Sequence, residues 1–327
     1  MTSPDISIVV CTYNRAAMLR KALESLTRLE HGQRFRYEIV VVDNASSDDT
    51  AAVVESVRQS AGVPLRYVYE AKKGIAPARN RGLSEARGTW IASFDDDQLA
   101  DPRWLLELLD YAERYNVRVV GGAVYLQLPE GHERKLHCFV RMLLGESRWS
   151  HEPFAYSPKV SPGAGNLMLH RSVLDQVGRF NEALIRSEDT DLFCRIWSAG
   201  IESWYVPAAI VHHVTPLERM QLSYLQRLSS GLGRHVAERE RALRSPLTFL
   251  PRWLLKSIVS PTTALAGLAL AKAFGNSEAK LGLRCRLTLA SSYAAAGGAL
   301  IQSDLARFFA AVGYLTRSVK PAVSRQT

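Results

Sequence analysis

Short apolar segments rich in β-branched residues alternate with helix-like segments in the first part of the chain, and this alternation most restricts its fold. Each apolar segment ends in polar residues, and the next segment has the apolar spacing of a helix. This order predicts an α/β fold with a largely parallel sheet covered by helices. We predict strands over 6–11, 37–42, 65–70, 90–94 and 118–126, and helices from about 15 to 29 and over 50–60, 77–86 and 102–115.

Polar side chains follow three of these strands. Thr12 and Tyr13 follow the first strand, Asp43 follows the second, and residues 95–97, all aspartates, follow the fourth. Right-handed crossovers bring the loops after parallel strands to one edge of the sheet, where open α/β sheets bind their ligands. We therefore expect the binding site at this edge.

Several enzyme classes lack their entry motif here. No GxGxxG follows the first strand, and no GxxxxGK[ST], HExxH or GxSxG occurs, which argues against dinucleotide, Walker-type, zinc-protease and serine-hydrolase sites. The four cysteines lie far apart without a CxxC pair, so neither a zinc cluster nor a disulfide framework is indicated. The first residues lack the pattern of a secretory signal, and we expect a reduced, cytosolic chain.

The positive charge belongs to the end of the chain. The 327 residues carry a net charge of +9, but those from Thr215 onward hold 16 Lys and Arg against 5 Asp and Glu. The first 214 residues therefore have a net charge of −2. At this length we expect one large α/β domain with an appendage, or two domains.

The basic region also contains the longest uncharged segments, Ser257–Ala271 and Leu287–Ser303, of 15 and 17 residues. Both are short or marginal for a transmembrane helix, which needs about 20 apolar residues. Basic residues beside modest apolar helices suit a segment that lies on an anionic membrane surface. The alternative is that these helices pack on the catalytic domain or on each other. No nucleic-acid binding is expected, because regularly spaced aromatic residues are missing.

Three consecutive aspartates, Asp95, Asp96 and Asp97, follow the fourth strand. Adjacent carboxylates repel one another and raise one another's pKa, so a cation should neutralise them. Mg²⁺ and Mn²⁺ prefer such oxygen ligands together with the phosphates of a substrate. In strand geometry Asp95 and Asp97 would point the same way and Asp96 the other way. The alternative is a solvated acidic turn that caps the next helix.

Two further groups lie later in the chain. Glu188 and Asp189 begin a helix-like segment, either as capping residues that suit the helix dipole or as a carboxylate base near the aspartates. Residues 206–213 form an apolar strand that ends in His212 and His213. Terminal histidines are commonly surface residues, but imidazole also completes metal sites.

Together these residues resemble the family 2 glycosyltransferases of the GT-A fold, from about Ile6 to Pro216. No single segment is specific, but six occur in the family's order. They are Cys11-Thr12-Tyr13-Asn14-Arg15, Val41-Val42-Asp43-Asn44-Ala45-Ser46, Ala76-Pro77-Ala78-Arg79-Asn80-Arg81-Gly82, Phe94-Asp95-Asp96-Asp97, Gly165-Asn166-Leu167-Met168-Leu169-His170-Arg171 and Glu188-Asp189-Thr190-Asp191-Leu192.

The resemblance implies a nucleoside-diphosphate sugar donor, with UDP sugars favoured. It implies that Tyr13 stacks near the nucleobase, that Asp43 accepts from a base N–H, and that Arg79 faces the pyrophosphate or the base pocket. Asp95 would hold ribose or sugar hydroxyls. The implied donor residues are Thr12, Tyr13, Asp43, Arg79, Asp95 and Asp96.

The resemblance also implies the chemistry. Asp97 would bind Mg²⁺ or Mn²⁺, and alignment on Pro207 makes His213 rather than His212 its partner. Asp189 would be the base that deprotonates an acceptor hydroxyl, and Glu188 would contact the acceptor or the sugar. One displacement then inverts the anomeric centre.

The resemblance places residues 1–216 in the nucleotide-sugar-binding and catalytic domain and leaves 217–327 as a basic, mostly helical region. Phe249 stands where a processive synthase has the Gln of Q-x-x-R-W, which favours addition of a single sugar. The acceptor is then a glycan or lipid-linked hydroxyl, and the enzyme is cytoplasmic or peripheral on the inner face of the membrane. The alternatives are a nucleotidyltransferase and a non-catalytic sugar-nucleotide-binding or membrane-scaffold protein.

Overall fold

The computed structural model describes residues 4–132, 136–158, 160–184, 187–242 and 244–318, with side chains to residue 307. Its strands are β1 (Ile6–Thr12), β2 (Tyr37–Asp43), β3 (Leu65–Tyr69), β4 (Trp90–Asp95), β5 (Gln98–Ala100), β6 (Val119–Gln127), β7 (Phe154–Ala155), β8 (Asn166–His170) and β9 (Trp204–Val214). Its helices are α1 (Ala16–Leu26), α2 (Thr50–Ser60), α3 (Ile75–Glu85), α4 (Trp104–Tyr115), α5 (Cys138–Leu143), α6 (Arg171–Val177), α7 (Glu188–Ser198), α8 (Leu222–Ala242), α9 (Pro246–Ala273) and α10 (Ser277–Ser318), with a 3-10 turn at Leu217–Met220.

The strands form one mixed sheet in the order β3-β2-β1-β4-β8-β6-β9-β5, with β7 paired to β9. The part from β3 to β4 is parallel, as the sequence predicted. Beyond β4 the sheet departs from that pattern, because β8 enters antiparallel to both β4 and β6 and only the β6–β9 pair is parallel. The α/β class predicted from the sequence is confirmed, and the carboxyl ends of β1, β2 and β4 share one edge.

Helices cover both faces of the sheet. On β1, Ile8 and Val10 pack with α1 and α4 on one face, whereas Val9 packs with α3 and α7 on the other. Successive side chains of a strand point to opposite faces, so one apolar strand contributes to both cores. This two-sided burial explains the nearly unbroken apolar sequence of β1 and holds its carboxyl end in a fixed position.

The strand β9 is interrupted where it runs beside β6. Gly122 pairs with Val206, but the next residue, Ala123, pairs with Ile210, so 207–209 are left out of the ladder. The buried Asn166 side chain fills this gap, since its Nδ2 donates to the carbonyl oxygens of Ala123 (3.0 Å) and Ala209 (3.1 Å). The irregularity sets the register of the last residues of β9, including both histidines.

The described chain divides into two compact units, 1–127 with 145–215, and 128–144 with 216–327. The second contains α5, α8, α9 and α10. Within it, Glu240 accepts from Tyr293 Oη (2.9 Å) and pairs with Lys256, and Arg241 Nε lies 2.6 Å from Asp304. These contacts join the three long helices of this unit.

The helix α9 differs from its sequence-based prediction. The uncharged segment Ser257–Ala271 lies inside a continuous helix of 28 residues that is, by length and composition, long and apolar enough to cross a membrane. Large apolar side chains on it are exposed, namely Leu247, Leu250, Leu254, Leu255, Ile258, Val259, Leu265 and Leu270. A count of uncharged residues alone underestimates the length of this helix, which also includes Arg252 and Lys256.

Candidate active site

The carboxyl ends of β1, β2 and β4 open onto a cavity of about 530 Å³. This volume lies in the usual range for small-molecule sites. Its walls come from the loops after these strands, the start of α3 and the end of β9. The lining residues are Cys11, Thr12, Tyr13, Arg15, Asn44, Lys73, Gly74, Ile75, Ala78, Asp95, Asp96, Asp97 and His213. The cavity therefore lies at the edge of the sheet that the sequence predicted.

The three aspartates leave the strand at Asp95, because Asp96 and Asp97 form the turn before β5. Strand alternation, which would have paired Asp95 with Asp97, therefore does not apply. Arg15 Nη1 lies 2.9 Å from Asp96 Oδ1 and 3.1 Å from Asp97 Oδ2, and Thr12 Oγ1 donates to Asp96 Oδ2 at 2.7 Å. The argument from strand geometry therefore ends at Asp95, and beyond it Asp96 and Asp97 share one guanidinium.

The structure brings Asp97 and His213 together. His213 Nε2 lies 3.3 Å from Asp97 Oδ2, because β5 pairs with β9 and aligns Gln98 with His213. His212 is turned toward the ring of Tyr125, at 6.0 Å between centroids. Of the two histidines, His213 is thus the one beside the aspartates.

A carboxylate oxygen and an imidazole nitrogen this close form a donor set that fits Mg²⁺ or Mn²⁺. Within the described ranges, no group of three or more His, Cys, Asp and Glu side chains is arranged to hold a metal ion. The protein therefore offers part of a coordination sphere, and the other ligands would come from substrate or water.

Arg79, on α3, lies between two acidic groups. Its Nη2 is 3.7 Å from Asp95 Oδ1, its Nη1 pairs with Glu188, and its guanidinium lies 5.4 Å from the centre of the Phe180 ring. The Arg79 side chain is 12% exposed and that of Glu188 is 7% exposed. Arg79 does not line the cavity described above, and its assignment to the pyrophosphate or the base pocket stays a prediction.

Glu188 and Asp189 form the first turn of α7, which begins after Ser187 in a left-handed conformation (φ 64°). A non-glycine residue there carries backbone strain, which is common at functional sites. Asp189 is half-buried and its Oδ1 accepts from the Thr190 N–H at 2.7 Å. The negative charge of Asp189 acts on both Asp95 and Arg79. The two acidic groups of the sequence thus belong to one electrostatic site.

Burial raises the pKa of two of the aspartates above the ordinary value. For Asp95 and Asp96 the main cause is loss of hydration, and the charge of Asp97 raises both further. The guanidinium of Arg79 opposes the rise at Asp95, and that of Arg15 opposes it at Asp96. Asp95 lines the cavity, and its side chain is 43% exposed. Such crowding favours a further cation.

Asp43 does not line the cavity. It is buried, with Oδ1 accepting from the Ser46 N–H (2.9 Å) and Oδ2 from Tyr67 Oη (2.7 Å). Its neighbour Asn44 does line it and accepts from the Gly74 N–H at 2.8 Å. Asn44 therefore positions the loop that starts α3, whereas the assignment of Asp43 to the base stays a prediction.

At the open side of the cavity, Lys73 Nζ lies 5.7 Å from the centre of the Tyr13 ring, and Tyr13 is 48% exposed. An exposed aromatic ring at a cavity mouth is available for stacking on a base. Cys11 also lines the cavity, but burial raises the pKa of its thiol to about 12, so it stays protonated.

Sequence reasoning missed Arg15, Lys73 and Asn44. The three adjacent aspartates had predicted a neighbouring cation, and this could have pointed to Arg15. The prediction considered only a metal ion as that cation. Asn44 stands in the segment 41–46 that carries the family resemblance, but no role had been assigned to it. Lys73 carried no local signal, because only the packing of α3 against β1 and β2 brings its loop to the cavity.

Residues 7–178 match the family model described as glycosyl transferase family 2. The chain is 32% identical to succinoglycan biosynthesis protein ExoM of Rhizobium meliloti over 247 residues, covering 73% of this chain and 77% of that protein. It is 27% identical to the pre-mycofactocin glycosyltransferase of Mycobacterium tuberculosis over 297 residues, covering 87% of this chain and 59% of that protein. The match to the second relative thus spans about three-fifths of its length.

Among solved structures, the chain is similar to the mannosyltransferase PcManGT from Pyrobaculum calidifontis, solved in complex with GDP-Man and Mn²⁺. The TM-score is 0.61 at 21% identity, with 93% of this chain and 88% of that chain covered. At this identity the likeness concerns the fold.

Proposed function

The chain belongs to glycosyl transferase family 2 and is a glycosyltransferase, and we propose that it moves one sugar from a nucleoside-diphosphate sugar to an acceptor hydroxyl with inversion. Its GT-A fold is the one predicted from the sequence. The observation that carries the proposal is the position of Arg79, which contacts both Asp95 and Glu188. It joins the aspartates of the donor cavity to the helix that bears Asp189.

The cavity suits a nucleoside diphosphate. Tyr13 offers an exposed ring for the base, with Lys73 beside it. Gly74 and Ile75 bring the start of α3 to the wall, where backbone N–H groups favour an anion. Arg15 adds a planar guanidinium, which suits a phosphate. We assign the diphosphate to this wall and the sugar to the Asp95 side, with UDP sugars favoured and GDP sugars as the main alternative.

Asp189 is the proposed base. Its Oδ2 accepts no hydrogen bond from the described residues, so it is available to take the proton of an acceptor hydroxyl. That oxygen then attacks the anomeric carbon from the face opposite the leaving diphosphate, which inverts the configuration.

Asp97 and His213 are the proposed ligands of Mg²⁺ or Mn²⁺. A divalent cation bound there would offset the charge that develops on the leaving nucleoside diphosphate. Arg79 holds Asp95 and Glu188 at fixed positions, and Thr12 holds Asp96. The proposal thus divides the site into a donor side at the aspartates and an acceptor side at the start of α7.

The test is a screen of UDP, GDP and dTDP sugars with Mn²⁺. A donor that binds the folded protein raises its melting temperature by mass action. NMR of the product from the best donor should show an anomeric configuration opposite to that of the donor. Retained configuration would disprove the single displacement, and no stabilisation by any nucleotide sugar would disprove the assignment of the cavity.

We further propose that α9 attaches the enzyme to an anionic membrane, with a lipid-linked or membrane-proximal acceptor. The exposed apolar side chains of α9 and the positive charge of this region support this. Membrane fractionation of the full-length protein tests attachment, and extraction with alkaline carbonate separates surface binding from spanning. Recovery of the enzyme only in the supernatant before extraction would contradict it.

A further inference from the structure

Two side chains approach a single oxygen atom of the site, Oδ2 of Asp97. Arg15 Nη1 lies 3.1 Å from it and His213 Nε2 lies 3.3 Å from it. Arg15 also lies 2.9 Å from Asp96 Oδ1, so its guanidinium bridges the two carboxylates. The oxygen assigned above to a divalent cation is therefore already neutralised by a side chain of the protein.

A divalent cation at Asp97 Oδ2 and this guanidinium repel each other, because both are positively charged and both contact the same carboxylate oxygen. Mg²⁺ bound to a carboxylate lies about 2.0–2.1 Å from the oxygen, and Arg15 Nη1 lies 3.1 Å from the same oxygen. The Asp97 side chain is 7% exposed, so water screens this repulsion poorly. A metal ion at Asp97 is therefore bound less tightly while Arg15 stays beside it than after Arg15 has moved away.

Arg15 has somewhere to move. Its side chain is 42% exposed and lines the donor cavity, whereas Asp96 would keep its hydrogen bond from Thr12 Oγ1 when Arg15 leaves. The planar donor fork of a guanidinium pairs with a phosphate as well as with a carboxylate. A diphosphate in the cavity therefore offers Arg15 a replacement partner.

We infer that Arg15 couples metal binding to donor binding. In the nucleotide-free protein Arg15 holds Asp97 and keeps the affinity for a divalent cation low. A nucleoside diphosphate draws Arg15 to its phosphates and frees Asp97 Oδ2 for the metal ion. This inference rests on the proposed function, and the coupling must be reciprocal, with the metal ion strengthening nucleotide binding by the same factor.

The experiment measures the Kd of Mn²⁺ by the electron paramagnetic resonance of free Mn²⁺, with and without UDP or GDP. Titrations without protein correct for Mn²⁺ bound by the nucleotide itself. In the wild type the nucleotide should lower the Kd at least about fivefold, the lower end of typical couplings. Arg15→Gln should bind Mn²⁺ at least about fivefold more tightly than the wild type without nucleotide, and the effect of the nucleotide should shrink.

Two further variants separate charge from other effects. Arg15→Lys keeps the positive charge and should keep the weak nucleotide-free binding. Arg20→Gln is the matched control, because Arg20 lies on the same helix, α1, and contacts Ser56 instead of the aspartates. It removes one positive charge and should leave the Kd of Mn²⁺ unchanged.

The outcomes distinguish this inference from the proposed function. Equal nucleotide-free Mn²⁺ affinity in the wild type and Arg15→Gln, with normal binding when nucleotide is present, overturns the coupling and leaves the metal site intact. No Mn²⁺ binding in any variant under any condition overturns the metal site as well. If Arg15→Gln does not fold, the measurement on the wild-type protein still tests the inference. A Kd of Mn²⁺ that does not depend on nucleotide contradicts the coupling.

Discussion

Gly165 lies directly against the carboxylate of Asp95. A Cβ atom at Gly165 would overlap that carboxylate, at 2.7 Å from its Cγ. Glycine is therefore required here for the close approach of the backbone to an aspartate of the donor site. This relationship links the loop before β8 to the geometry of the cavity.

We expect Gly165→Ala to lower kcat/KM about 100-fold, because a displacement of about 1 Å in a catalytic group can have an effect of that size. Steady-state kinetics and thermal unfolding measure the two consequences separately. Gly163→Ala is the matched control in the same loop, since no atom lies within 4 Å of a Cβ built there. Equal activity of the two variants would show that the position of Asp95 does not matter.

Asp189→Asn should lower kcat by a factor of about 10² to 10⁴, the usual contribution of a general base, while the Kd of the donor changes little. Calorimetry and single-turnover kinetics measure the two quantities. Asp191→Asn is the control, because Asp191 lies in the same turn and pairs with Arg195 (2.8 Å). Near-normal turnover in Asp189→Asn would move the role of the base to another residue.

Replacement of Asp97 by alanine should weaken the Mn²⁺-dependent binding of the donor at least about tenfold, the size of one charge-assisted contact. His213→Ala should act in the same direction, whereas His212→Gln should not, because His212 packs beside Tyr125. Calorimetric titration of the donor with Mn²⁺ and with a chelator measures the difference. A larger effect at His212 than at His213 would reverse the assignment of the ligand.

Arg79→Met should lower the free energy of unfolding by about 3–5 kcal/mol, because it leaves Glu188 buried without its partner. The double variant Arg79→Met/Glu188→Gln should recover part of the loss, since a neutral amide needs no counter-charge. Urea unfolding measures both. On the same helix, Arg81→Met removes an exposed partner of Glu85 and should cost less than about 1 kcal/mol. Similar losses for both arginines would contradict the buried pair.

For the membrane proposal, the double variant Leu254→Glu/Ile258→Glu should weaken binding to vesicles containing phosphatidylglycerol at least about tenfold. Each side chain contributes about 1.5–3 kcal/mol when buried in an apolar phase. Both are exposed on α9, at 46% and 65%. Tyr115→Glu, at a comparably exposed position on α4, is the control in sedimentation assays. Vesicle binding that both variants retain equally would assign the attachment to another part of the chain.

Much of the fold could be predicted because its signals are local. The strands β1 and β2 are β-branched apolar runs, and their predicted bounds agree with the structure to within one residue. Asp43 and the aspartates at 95–97 were predicted to lie at one sheet edge because the parallel strands before them end there. The antiparallel entry of β8 could not be predicted, since strand direction depends on the pairing of distant segments.

The site shows the same division. The sequence shows that Asp95, Asp96 and Asp97 follow an apolar strand. It does not show which side chains they pair with. Because the chain turns after Asp95, Asp96 and Asp97 form ion pairs with Arg15, whereas Asp95 lies beside Arg79. A pattern of alternating side chains holds only within a strand, so it failed where the strand ended.

By itself the sequence determined the family, the α/β class and the order of the chemistry-bearing residues, because periodicity and short motifs reside in neighbouring residues. Only the tertiary structure decided which cation meets which carboxylate, and it placed His213, the histidine that the family resemblance implied, beside Asp97. The gap in β9 and its pairing with β5 set that register. Such pairings depend on packing between residues that are far apart in the chain. Charge and burial act between groups a few ångströms apart in space, and a local sequence pattern does not show which groups these are.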